Sequence, residues 1–180
     1  MWFWGTDLKS DLKRYRPNQL PTTWRLISVA ASNPGLVACV LLRIEVRLFR
    51  LRRQRASELV RSLNLAWTGA DFAPGCTVGP GLLIQYPNGI VIGAGALLGK
   101  DCTVLQQVTV GEKFADGRAP HDYPEIGDRA VIGAGARVLG KVRVGADAII
   151  GANAVVTSDV PANATAVGVP ARILNSNRTG

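Results

Sequence analysis

The chain has little of what most enzymes use for chemistry. It carries 1 histidine, 3 cysteines and 1 methionine in 180 residues, and aromatics make up only 6%. The cysteines, Cys39, Cys76 and Cys102, lie far apart with no CxxC pair. That spacing argues against a zinc site or a disulfide framework and fits a reducing compartment. Long apolar runs are also missing. The longest, Leu36 to Leu42, is stopped by Arg43, far short of the roughly 20 residues that span a bilayer. No signal peptide is apparent, so a soluble, cytoplasmic chain without a transmembrane segment is expected.

Hydrophobic residues still amount to 47%. With so few aromatics, the core must be built from aliphatic and small side chains. The net charge of +8 is unevenly placed. Residues 1–66 hold 12 Lys/Arg against 4 Asp/Glu, whereas residues 67–180 hold 9 of each. The composition changes near Trp67, which sets an expected boundary between an N-terminal region, 1–66, and a second region, 67–174, with a tail at 175–180. Such a basic half could meet nucleic acid or anionic lipid. No nucleic-acid motif accompanies it, so the arginines are read as solvating the outer faces of helices, and no nucleic-acid partner is expected.

What the sequence has in abundance is a period of six. Apolar residues fall at Phe72, Val78 and Ile84, resume at Ile92, Leu98, Val104 and Val110, and run again through Ile126, Ile132, Val138, Val144, Ile150 and Val156. Four residues after these come mostly small side chains, among them Cys76, Ala96, Cys102, Ala130, Ala136, Ala148 and Ala154, with Leu82 the largest exception. Glycine often follows the apolar residue directly, as at Gly79, Gly99, Gly127, Gly133 and Gly145. Neither a helix nor an ordinary strand sustains this period. Each hexad reads as a short strand plus a corner, and three hexads make one triangular coil. Coils stack at roughly the 4.8 Å strand spacing. The apolar residue points into the prism and the small one fits near a corner. The glycines are expected to permit turn dihedrals that side chains disfavour. The fold class is therefore a parallel β-helix preceded by a short helical region. Periodicity does not set its hand, because parallel crossovers are normally right-handed.

Residues 7–63 read as helical. Asn33-Pro34 forms a cap followed by a first-turn proline. Val37, Leu41, Ile44, Leu48 and Leu51 make an apolar stripe, with Arg43, Arg47, Arg50 and Gln54 on another face. The stripe is expected to dock on the β-helix end or on a partner subunit; lying on a membrane surface is the second reading.

A regular prism has no cleft, so function belongs where the beat fails. One failure is Gln85-Tyr86-Pro87-Asn88-Gly89. The other is the loop from Glu112 to Glu125, which carries the lone histidine in Arg118-Ala119-Pro120-His121-Asp122-Tyr123-Pro124. Histidine is the side chain whose ordinary pKa suits proton abstraction near neutral pH.

Several stretches resemble the serine acetyltransferases of the left-handed β-helix acyltransferase family. They are Gly89-Ile-Val-Ile-Gly93, Leu105-Gln-Gln-Val-Thr-Val-Gly111, Ile132-Gly-Ala-Gly-Ala136, Val138-Leu-Gly140 and Gly168-Val-Pro-Ala-Arg172-Ile. The similarity spans roughly residues 67–174. The resemblance implies a left-handed prism and a homotrimer with the active site between subunits. It implies acetyl-CoA as co-substrate in a groove between adjacent prisms and no metal. A histidine base would deprotonate the acceptor hydroxyl, which attacks the thioester directly, with backbone amides stabilising the oxyanion. The implied reaction is serine O-acetylation for cysteine biosynthesis.

Carried over by position, Asp71 matches the acidic partner of the main base. That base falls on Tyr86, a departure, and the preceding aspartate that holds the serine amino group falls on Gln85. His121 matches the second histidine. The arginine just before it falls on Pro120, with Arg118 near, and the loop is two residues longer before Pro124. Gly111, Ala134 and Ala152 match backbone positions beside the CoA arm, and Arg172 matches an arginine near the CoA end. A tyrosine with an ordinary pKa is a poor base. His121 is therefore read as the base, Tyr86 as orienting the acceptor through its hydroxyl, and Gln85 and Arg118 as substrate contacts. Two alternatives stay open: O-acetylation of a sugar or polysaccharide, and a non-catalytic trimeric scaffold. The tail Asn175-Ser-Asn-Arg-Thr-Gly180 lacks the terminal isoleucine that docking to the cysteine-forming sulfhydrylase favours. A β-helical carbonic anhydrase would need three histidine ligands, and a nucleotidyltransferase would need an upstream phosphate loop.

Overall fold

A computed structural model describes residues 6–15, 33–113 and 122–174. Three helices, α1 (Thr6–Tyr15), α2 (Pro34–Arg50) and α3 (Gln54–Thr68), precede fifteen short strands. The composition boundary at Trp67 falls in the last turn of α3, which ends on Gly69 in the left-handed conformation.

The strands β1 (Asp71–Phe72), β2 (Thr77–Val78), β3 (Leu83–Ile84), β4 (Val91–Ile92), β5 (Leu97–Leu98), β6 (Thr103–Val104) and β7 (Thr109–Gly111) lead up to the long loop. After it come β8 (Glu125–Ile126), β9 (Val131–Ile132), β10 (Arg137–Leu139), β11 (Arg143–Val144), β12 (Ile149–Ile150) and β13 (Val155–Val156). Each of these thirteen strands holds one apolar residue of the six-residue beat, and every one is buried. The strands form three parallel sheets. The first face is β1-β4-β7-β10-β13 and the second β2-β5-β8-β11. The third is β3-β6-β9-β12, followed by β14 (Thr165–Val167) and an antiparallel β15 (Arg172–Leu174). The result is the three-sided prism that the periodicity implies. The small residues four positions on, from Cys76 to Ala154, line the corners from within and are buried too.

The glycines after the apolar residues have a different cause from the one expected. None of Gly79, Gly99, Gly127, Gly133 or Gly145 has positive φ. A Cβ on Gly127 would sit 2.6 Å from Ala146 N, and one on Gly79 would sit 2.6 Å from the Gly99 carbonyl carbon. Glycine is required there because adjacent coils pass too closely for a side chain. The left-handed turn is made two residues beyond that position, by Gly81 and Gly135 and by Asp101, Gln107, Arg129, Asp147 and Asn153. Asn and Asp tolerate that region better than most residues.

The first coil leaves backbone groups open on the side away from the stack, and open strand edges must be satisfied. The helices do this. Arg43 donates to the carbonyls of Val78 (2.6 Å) and Gly79 (2.7 Å). Asp11 accepts from Leu82 N at 2.8 Å. The Tyr15 hydroxyl accepts from Ile84 N and donates to Ile84 O, both at 2.8 Å. Arg14 donates to Gly81 O at 3.1 Å. Arg43 and Asp11 also pair with each other, with Asp11 fully buried. Burial pushes the Asp11 carboxyl above its usual range against the pull of Arg43.

Docking on the β-helix end is thus as expected, but the docking face is not the expected stripe. The buried arc of α2 is Gly35, Leu36, Val37, Ala38, Cys39, Leu42 and Glu45, whereas Ile44 and Leu51 are exposed. Arg43, read as solvated, lies inside the joint. A helix capping a strand edge must bring polar groups to it, so Arg43 joins a buried arc that is otherwise mostly apolar. The Asn33 cap is present, its side chain accepting from Leu36 N at 3.2 Å, with Pro34 opening the helix. The three cysteines are free and buried.

Candidate active site

Two vertical edges of the prism border the first face. Corners entering it are residues 69–70, 85–90, 105–108, 133–136 and 151–154; we call this the leading edge. Corners leaving it are 73–76, 93–96, 112–113 with 122–124, and 140–142, the trailing edge. The first interruption of the repeat lies on the leading edge, and the described ends of the second, 112–113 and 122–124, lie on the trailing edge of the same face.

Gln85 and Tyr86 stand on the leading edge. Their corner is clamped from above by Gly89 N to Gly69 O (2.9 Å) and from below by Gln107 N to Asn88 O (2.9 Å). Gly89 has φ +74 there, and a Cβ would crowd Gln107 at 3.2 Å. Tyr86 is 62% exposed, so its hydroxyl is free to meet an acceptor. The same edge continues down the stack through Gly135 N to Gln106 O and Asn153 N to Ala134 O, which places Ala134 and Ala152 in line below Tyr86. At its foot, β15 brings Arg172 opposite Val167, while Val155 N and O bond to Gly168 and Ala171. The leading edge therefore gathers Gln85, Tyr86, Ala134, Ala152 and Arg172, a ledge with small side chains in its middle and a cation at its end.

Asp71 opens β1 just past the top corner of that edge. It does not face an imidazole. Arg61 of α3 holds it with two parallel bonds, Nη2 to Oδ2 at 2.8 Å and a shorter one from Nε to Oδ1. Such bidentate pairing fixes a carboxylate in plane. Behind this pair lies Glu45, fully buried, with neither carboxyl oxygen hydrogen-bonded. Burial pushes its pKa up to about 8, with Arg61 pulling down and Asp71 pushing up.

Gly111 ends β7 where the trailing edge begins. A Cβ there would meet nothing within 4 Å. Unlike Gly127, Gly111 is not demanded by the close passage of a described coil, although the residue itself is buried. Arg118 and His121 lie outside the described residues. The loop's two ends are braced together: the Tyr123 hydroxyl bonds to the Glu112 carboxylate, and this, with some burial, raises the phenol pKa. The Tyr123 ring lies on Gly93 and Gly95, so closely that a Cβ on either would collide with it. Recesses of about 330 Å³ beside Arg61, Phe49 and Glu58, and of about 200 Å³ between Tyr123, Lys141 and Arg143, lie along this edge.

Sequence reasoning missed Arg61, Glu45 and Tyr123. Arg61 is one cation among twelve in residues 1–66 and carries no local signal. Tyr123 had one: it directly precedes Pro124, just after the two extra residues of the loop. Among the described residues no group of three or more His, Cys, Asp and Glu could hold a metal, and no helix is long and apolar enough to cross a membrane.

Comparison with known proteins places this arrangement. The family described as bacterial transferase hexapeptide (six repeats) matches residues 123–158. A serine acetyltransferase of Mycobacterium tuberculosis is 36% identical over 96% of this chain and 74% of its own length. One from Helicobacter pylori is 40% identical over 96% of this chain and 99% of its own. The crystal structure of a serine acetyltransferase from Brucella abortus in complex with coenzyme A superposes with a TM-score of 0.83 at 28% identity, covering 93% of this chain and 66% of that one. The prism is accordingly the left-handed parallel β-helix, and the chain belongs to the serine acetyltransferase family of hexapeptide acyltransferases.

Proposed function

We propose that the chain transfers the acetyl group of acetyl-CoA to the hydroxyl of a small acceptor, L-serine, in the cytoplasm. The observation that carries this reading is the division of the site between two edges of one face. Tyr86, Ala134, Ala152 and Arg172 line the leading edge, and Gly111 and the described ends of the long loop, Lys113 and Asp122, stand at the trailing edge. One protomer cannot close these into a pocket. A head-to-tail ring, in which the trailing edge of each copy meets the leading edge of the next, does so at every contact, and a closed ring of this kind has cyclic symmetry. A homotrimer, the smallest closed head-to-tail ring, is the form proposed.

In that groove, Ala134 and Ala152 leave room for the extended arm of acetyl-CoA, and Arg172 lies where a phosphate would end. His121 takes the proton from the acceptor hydroxyl as its oxygen attacks the thioester carbonyl. Backbone N–H groups stabilise the oxyanion. The carbon–sulfur bond then breaks, and the proton passes from His121 to the departing thiolate, leaving free CoA and an acetyl ester. Tyr86 orients the acceptor and Gln85 bonds to it. No metal takes part in this scheme.

The replacements at Gln85 and Tyr86 favour a second reading, in which the acceptor is a sugar hydroxyl. Thiol release from acetyl-CoA, measured with L-serine and with a panel of sugars, decides between them. Serine-dependent release supports the first reading, and release with sugars alone supports the second. No release with any acceptor overturns both in favour of a scaffold.

A further inference from the structure

Helix α3 turns an apolar line away from the protein. Leu59 is 62% exposed, Leu63 52% and Trp67 73%. Spaced by four, they share one face of the helix, with Arg55 continuing the line toward its start. At that start the hairpin between α2 and α3 carries Arg47, Arg50, Arg52, Arg53 and Arg55, all exposed, around a 61% exposed Leu51. No described acidic residue forms an ion pair with any of the five. By contrast, Arg14, Arg43 and Arg61 of the same region are each bonded into the protein. The arginines therefore divide into a set that builds the joint and a set left free at one tip.

We propose that this tip and the outer face of α3 form a docking surface for a membrane rich in anionic phospholipid. Guanidinium groups match phosphate oxygens in a bidentate manner, and a cluster of this size next to exposed leucines is the pattern of an interfacial helix. Trp67 suits the boundary, its ring amphipathic. The surface is a convex hairpin with a leucine at its apex, not a groove tracking a phosphate backbone. No exposed aromatic besides Trp67 lies on α3 to stack on bases, which sets nucleic acid behind lipid. The helix lies on the bilayer and does not enter it; the stripe is short and one-sided. Such docking would hold the prism at the cytoplasmic leaflet.

The test is co-sedimentation of the full chain with vesicles of phosphatidylcholine alone and of phosphatidylcholine mixed with phosphatidylglycerol. Binding to the anionic vesicles only, weakened by salt, is expected. The triple substitution Arg50→Gln, Arg52→Gln, Arg53→Gln should lower partitioning by about 100-fold. Vesicles should also blue-shift the tryptophan emission, and Trp67→Phe should reduce the shift, measured against the three remaining tryptophans. Unchanged thiol release by both variants shows that the fold survives. The proposal is overturned by absence of binding to anionic vesicles at low salt, or by binding that the triple substitution leaves intact. It is equally overturned if a duplex oligonucleotide binds while vesicles do not, or if Leu63→Lys changes the oligomer mass, which would mean a second copy covers the stripe.

Discussion

Arg61 holds Asp71 through two parallel bonds, so the carboxylate that opens the first face is paired with a cation from the helical region. A proton-relay role would require that carboxylate to reach residue 86, but its geometry is committed to α3. The pair acts as one unit that fixes the top of the leading edge. Asp71→Asn and Arg61→Gln should each lower kcat by about tenfold with the KM for acetyl-CoA unchanged, and the double variant should be no worse than either single one. Steady-state thiol release measures this; multiplicative losses would show independent roles.

Glu45 sets a pH dependence of stability. Its folded pKa, about 8, lies above the ordinary value of 4.5. Between those values the folded chain keeps a proton that the unfolded chain loses, so stability falls as pH rises through this window, by at most ~1.4 kcal/mol per pH unit. The charged groups that act on it are Arg61 of α3 and Asp71 of β1, and the neutral Cys76 thiol, itself pushed up to about 12 by burial, lies near. Thermal melts from pH 5 to 9 should show the decline, and Glu45→Gln should flatten it. An identical slope in the variant would assign the decline to another group.

Asp11 is buried against Arg43 and also accepts from Leu82 N. Removing one partner of such a pair strands a buried charge. Asp11→Ala should cost about 3–5 kcal/mol in denaturant unfolding, while Asp7→Ala, also on α1, should cost far less. Equal small effects would mean that the joint does not contribute to global stability.

Gly127→Ala tests the close passage of coils. The added methyl would meet the Ala146 nitrogen at 2.6 Å, and overpacking of this kind costs about 1–3 kcal/mol. Gly111→Ala, with open space before it, should leave stability unchanged and weaken CoA binding. Calorimetry and CoA titration separate the two; equal destabilisation would contradict the stacking argument.

Much of this molecule was legible because a period of six leaves few alternatives. The residues from Phe72 to Val156 that mark the beat all became inward positions of strands. The two interruptions were legible as places, though periodicity does not say which edge a corner occupies until the three faces are counted out. What stayed hidden arises between elements. The glycines were explained by turns because a local reading knows dihedrals and not the neighbouring coil. The stripe through Ile44 and Leu51 was chosen by apolarity, whereas the real joint is organised by open backbone groups at Val78, Leu82 and Ile84 that call for Arg43, Asp11 and Tyr15. Arg61 finds its role through Asp71, and Glu45 through burial behind that pair, at a distance in sequence that no local pattern spans.

The central claim is that each site is assembled from the leading edge of one copy and the trailing-edge loop of the next. Subunit complementation tests it most directly. Asp71→Asn combined with Tyr86→Phe disables the leading edge, and His121→Ala disables the loop, the latter lowering turnover by roughly 100-fold. Dissociating the two inactive proteins and reassembling them together should restore about a quarter of wild-type activity, since that fraction of contacts pairs two intact edges. Activity no greater than the average of the two parents would contradict the account.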